Sequence, residues 1–161
     1  MADNATGNGV DALVARLGAV AREGELQIAV AESLTGGQLA CALAAGESSE
    51  EWFRGGIVAY QPAVKYDLLR APRGPVVTAP TARAMAVSAR SLLHADYAVA
   101  VTGVGGPGPQ EGRPAGTVFI AVAGPRGECS VTEHCFDGDP VRVMNQTILE
   151  AISNLAHAIR S

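Results

Sequence analysis

A short apolar run breaks off into small and hydroxyl residues at Leu26-Gln-Ile-Ala-Val-Ala-Glu-Ser-Leu-Thr-Gly-Gly37, and this stretch constrains the rest of the chain most. Helical spacing follows from Gln38 to Ala45, so the stretch reads as strand, tight turn and helix, with Ser33 and Thr35 at the turn. At a helix start the backbone N–H groups lack partners and the dipole is positive. Two roles are therefore open to a hydroxyl placed there. It can cap the helix, or it can attack a carbonyl whose developing oxyanion those N–H groups receive.

The remaining segments alternate in the same manner. Val10, Leu13, Val14, Leu17 and Val20 follow helical spacing, which predicts a helix over 10–22 behind a loose polar tail at 1–9. Trp52 and Phe53 read as core or interface anchors, and Gly55-Gly-Ile-Val-Ala-Tyr60 reads as a second strand. Pro62 suits the first turn of a helix reaching Leu69. A helix opened by Thr78 or Pro80 runs to His94, and strands follow at 97–101, 117–123 and 128–136. Asp139 and Pro140 start a long last helix. Helices interleaved with buried strands, then a hairpin, predict a single-domain α/β fold. Its mixed β-sheet carries helices on both faces, in three layers. In such sheets, sites gather at the loops beyond the strand ends. The loops after Val30, Ala59 and Val101 are expected at one edge.

With 161 residues, 48% of them hydrophobic and 17% charged, the chain can bury a full core and is not disordered. A net charge of −4 gives no bulk attraction to nucleic acid or to an acidic membrane. No apolar run approaches a membrane span and no signal-peptide pattern opens the chain, so the expected location is cytoplasmic. Cys41, Cys129 and Cys135 lack the C-x-x-C spacing of a metal or redox site. Cys41 reads as a buried small residue, and no metal or cofactor is expected.

Lys65 is the only lysine; every other basic residue counted is an arginine. Arginine stays protonated, whereas a desolvated lysine can lose its proton. A lysine base acting near neutral pH needs its pKa lowered by roughly 3 units, and the flanking Ala63, Val64, Leu68 and Leu69 allow burial. Lys65 is thus either a base or a solitary surface charge. Tyr60 either orients substrate and relays a proton between serine and lysine, or packs at a strand end. Thr102-Gly-Val-Gly-Gly-Pro-Gly108 either brings backbone close to a ligand, even cradling phosphate, or is a mobile connector. It leads to a strand, so the dinucleotide fingerprint fails, and no P-loop or Gly-x-Ser-x-Gly elbow is present.

Taken together, these motifs resemble the C-terminal domain of the competence/damage-inducible CinA family, which also occurs alone as nicotinamide-nucleotide amidases. The matching stretches are Ala31-Glu-Ser-Leu-Thr-Gly-Gly37, Gly55 to Tyr60 with Lys65 and Leu68-Leu69, and Thr102 to Pro107. Arg113-Pro-Ala-Gly-Thr-Val118 and Phe136-Asp-Gly-Asp139 also fit. The resemblance implies cleavage of the carboxamide of nicotinamide mononucleotide, giving nicotinate mononucleotide and ammonia, within pyridine nucleotide recycling. The alternative is a non-catalytic nucleotide-binding or regulatory homologue. Ser33 would be the nucleophile, with Lys65 and Tyr60 handling its proton. Thr35, Gly36 and Gly37 would shape the oxyanion pocket, and Thr102, Gly103, Gly105 and Gly106 the nucleotide side. Glu32 and Arg142 complete the expected substrate-binding set. The implied partners are a small pyridine nucleotide and a second copy in a homodimer, with no nucleic acid and no membrane. One departure stands out. The family's last helix usually opens Gly-Asp-Arg-x-x-Ile/Val-Arg, and here Pro140 and Met144 stand in the two arginine slots. Arg142 lies two positions from either, about 200° round a helix.

Overall fold

Large and small side chains alternate along the buried strands, and this alternation decides how the layers pack. In the computed structural model, which describes residues 3–161, five strands form one sheet. They are β1 (Ile28–Glu32), β2 (Phe53–Val58), β3 (Tyr97–Gly103), β4 (Thr117–Ala123) and β5 (Cys129–Cys135), in the order β2-β1-β3-β4-β5. β1 is parallel to both β2 and β3, whereas β4 and β5 close the sheet antiparallel. The helices are α1 (Asp3–Glu23), α2 (Gln38–Ala44), α3 (Pro62–Asp67), α4 (Ala79–Leu92) and α5 (Pro140–Arg160).

Because strand side chains alternate between faces, Ile28, Val30, Val99, Val101, Ile120 and Val122 point to one side of the sheet. There they pack with Val14 and Leu17 of α1, Leu39 and Leu43 of α2, and Ile152 and Leu155 of α5. The other side presents Ala29, Ala31, Ala98, Ala100 and Ala121 to Ala82, Met85, Ala86 and Ala89 of α4. Burying one Val, Ile or Leu contributes about 1.5–3 kcal/mol, so most of the hydrophobic stabilisation lies under α1, α2 and α5. Trp52 is fully buried on that side, where Gly18 and Gly46 leave room for its indole. The three-layer mixed α/β arrangement is the expected one.

Three details differ from expectation. α1 begins at Asp3, not Val10; its polar first turns carry no periodic signal, yet adding turns to a nucleated helix costs little. β2 ends at Val58, so Tyr60 lies beyond the strand. Cys41 is exposed rather than buried, because α2 buries Leu39 and Leu43 and Cys41 falls between them on the far side. Among the described residues, no helix is long and apolar enough to cross a membrane.

Candidate active site

Parallel pairing puts the carboxyl ends of β1, β2 and β3 at one edge of the sheet. The chain leaves β1 for β2 on one side and returns to β3 on the other, so the edge beyond β1 and β3 is a switch point where ligand crevices form. A cleft of about 580 Å³ lies there, and Ser33, Tyr60, Lys65 and Thr102 line it. The three loops expected to converge do so.

The turn that carries Ser33 is built on Glu32. This fully buried carboxylate accepts the Thr35 hydroxyl at 2.6 Å and the amides of Gly37, Leu39 and Ala40 at 3.2, 2.8 and 3.0 Å. It therefore caps α2 from the end of the preceding strand, receiving amides that helix starts leave unpaired. Neither Ser33 nor Thr35 is the helix cap. The Ser33 side chain makes no hydrogen bond among the described residues, and the residue is 8% exposed on the cleft wall. Gly36 and Gly37 turn the chain at φ 56° and 102°, the left-handed region that glycine enters at least cost.

This geometry corrects part of the expected binding set. Glu32, Thr35, Gly36 and Gly37 do not line the cleft. The Gly36 amide bonds to the Ser33 carbonyl at 3.0 Å and the Gly37 amide to Glu32, so neither donor is open to an oxyanion. Leu34 does line the cleft, and its amide has no acceptor among the described residues. Arg142 is exposed and outside the cleft; its side chain packs over Gly138 and its amide bonds to Asp139. The α5 residues that do reach the cleft are Pro140, Val141 and Met144.

Lys65 is 2% exposed, and its amine donates to the Tyr60 carbonyl at 3.2 Å. Burial pulls its pKa below the usual 10.5, an effect that the nearby Glu111 carboxylate partly opposes. The solitary lysine is thus no surface charge. Tyr60 is 68% exposed on the cleft wall, and its contact with Lys65 runs through its carbonyl, not its hydroxyl. No hydrogen bond joins Ser33 to Lys65 directly; catalytic pairs commonly close only around substrate.

Thr102, Gly103, Gly105 and Gly106 all line the cleft. The Thr102 hydroxyl donates to the Val76 carbonyl at 2.9 Å, which fastens β3 to the segment before α4. Gly103 is needed for space, since a Cβ there would sit 2.6 Å from the Thr117 carbonyl oxygen. Sequence reasoning missed Glu111. Its carboxylate accepts the Val76 and Val77 amides at 2.9–3.0 Å and so ties the glycine-rich loop to the cleft wall. The one available signal was that Glu111 is the only acid between Thr102 and Gly116.

Fold and cleft together define an α/β protein with a serine and a buried lysine at the carboxyl edge of its sheet. Residues 10–159 match the model of the CinA C-terminal domain, and the chain belongs to that family. A CinA-like protein of Frankia casuarinae is 42% identical over 130 residues, covering 78% of this chain and 30% of its own length. One from Synechococcus sp. (strain RCC307) is 48% identical over 112 residues, covering 66% and 27%. The chain thus spans under a third of these curated relatives. Among solved structures, the CinA superfamily protein from Enterobacter cloacae superposes with a TM-score of 0.89 at 29% identity, covering 93% of this chain and 92% of that one. The competence/damage inducible protein CihA from Agrobacterium tumefaciens gives 0.89 at 29% identity, covering 95% and 96%.

Proposed function

We propose that the chain is a serine–lysine amidohydrolase that releases ammonia from the carboxamide of a pyridine nucleotide. The observation that carries this reading is the cleft shared by an unbonded Ser33 hydroxyl and the buried, solitary Lys65. Desolvation favours the neutral amine. A neutral amine that donates one hydrogen to the Tyr60 carbonyl keeps its lone pair for a proton.

In the first half-reaction the Ser33 oxygen attacks the carboxamide carbon and its proton passes to Lys65. The Leu34 amide, next in the chain to the nucleophile, is the donor available to the developing oxyanion. Collapse breaks the C–N bond; Lys65 returns the proton to the departing nitrogen, and ammonia leaves a serine ester. Water then attacks the ester carbonyl and gives its proton to Lys65, which passes it back to Ser33. The products are the carboxylic acid and ammonia. Tyr60 contributes its carbonyl to the position of the amine and its ring to the cleft wall.

Ammonia release from nicotinamide mononucleotide, compared with Ser33→Ala, tests the reading. The serine variant should lose at least about 10³-fold in kcat. Lys65→Arg keeps the charge and removes the base, so it should be nearly as inactive; full activity in it would refute the assignment. No release above the Ser33→Ala control, with binding intact, would leave a nucleotide-binding homologue instead.

A further inference from the structure

α5 serves two different hollows. Its first turn lines the cleft through Pro140, Val141 and Met144. Its last turn, about 25 Å further along the axis, faces a separate cavity of about 400 Å³ against α1. Arg16 reaches that cavity from α1, and Ser153, His157, Arg160 and Ser161 reach it from the end of α5. Acids outnumber basic residues 16 to 12 in the chain, yet no carboxylate side chain lines this wall among the described residues.

Two guanidiniums on one cavity repel each other unless an anion lies between them. Among the described residues neither forms an ion pair, with a side chain or with the chain end; the pairs that do form are Arg73 with Asp67 and Arg113 with Glu133. Arg160 donates through Nε to the Ala156 carbonyl at 3.3 Å, which leaves its two terminal nitrogens for another acceptor. Arg160 and His157 also suit the negative end of the α5 dipole. That account does not extend to Arg16, which comes from the interior of α1. A phosphate dianion matches both positive charges, and the planar guanidinium fork fits its oxygens. A single carboxylate would leave one cation unmatched. A neighbouring cavity of about 560 Å³ shares His157 and Ser161 and offers Tyr97, Val122 and Ala158 to an organic group.

We propose that the last turn of α5 and the facing side of α1 form a second ligand site, which takes a phosphate dianion, free or as the end of a small organic phosphate. The site lies apart from Ser33 and Lys65 and does not depend on the amidase reading.

Titration of the whole chain with inorganic phosphate, against sodium chloride at equal ionic strength and followed through backbone amide resonances, tests it. The amides from His157 to Ser161 should shift along a saturating curve. Arg16→Gln and Arg160→Gln should each weaken that binding by at least about tenfold. Both positions are exposed, so the variants should keep the parent Tm in chloride. The cleft is the internal control, because the Gly105 and Gly106 amides also have no acceptor among the described residues. Shifts confined to those two amides, or shifts at the end of α5 that survive both substitutions, overturn the proposal. Phenyl phosphate in the same titration separates the two sources. Tighter binding than inorganic phosphate supports the site with an organic ligand reaching the neighbouring cavity, and equal or weaker binding supports it with the free ion.

Discussion

The turn after β1 and the loop after β3 flank the same cleft, and each is held by one carboxylate. Glu32 is fully buried and takes a hydroxyl and three amides from within eight residues of itself. Glu111 is exposed and takes two amides that lie 34 and 35 residues away. The first is a local device that fixes where the Ser33 hydroxyl stands. The second joins distant segments and leaves a negative charge near Lys65. The proposed nucleophile and the proposed base are therefore governed by different physics: one by buried hydrogen bonds of short range, the other by desolvation set against a neighbouring charge.

The strongest way to break this contrast is Glu32→Ala. It orphans the Leu39 and Ala40 amides and the Thr35 hydroxyl, and buried orphans cost about 1–3 kcal/mol each. A loss of about 3 kcal/mol should lower Tm by roughly 10 °C in calorimetry, with activity falling in step. Gly37→Ala leaves every side-chain bond in place but strains a residue at φ 102°. It should cost about 1–2 kcal/mol by denaturant titration.

Glu111→Gln keeps an acceptor for the loop and removes the charge, so about 1 kcal/mol of stability is at stake. Its larger signature lies in the pH–rate profile. Without a carboxylate favouring the ammonium, the Lys65 pKa drops further, and the rise of kcat/KM with pH moves to lower pH. A profile that stays put would show that Glu111 serves the loop alone. The smallest effect is thermodynamic. Because burial lowers the Lys65 pKa, the unfolded chain binds more protons than the folded one between the lowered value and 10.5. Stability contributed by this group therefore climbs with pH across that window. Lys65→Met should flatten the climb in denaturant titrations run at several pH values.

The same contrast marks what a reader of the sequence can see. Apolar runs and caps are local, so the strands and the start of α5 at Asp139 and Pro140 were legible within a residue or two. Ser33 and Lys65 stood out by residue type and by rarity. Glu32 stands in a legible motif, but its role does not show there, because three of its four partners are backbone amides and a motif does not name them. Glu111 was missed outright; its bonds to Val76 and Val77 exist only once the chain has folded back on itself. The polar first turns of α1 carry no periodic signal of their own, and the exposure of Cys41 depends on which face of α2 packs against the sheet.

The solitude of Lys65 also makes it a natural reporter. An amine-acylating reagent finds one ε-amino group in the polypeptide, so a single mass increment there, beyond the α-amino terminus, is unambiguous. Since that nitrogen is buried against the wall of the crevice, any compound that fills the crevice slows its labelling and leaves a protection footprint readable without knowing the reaction.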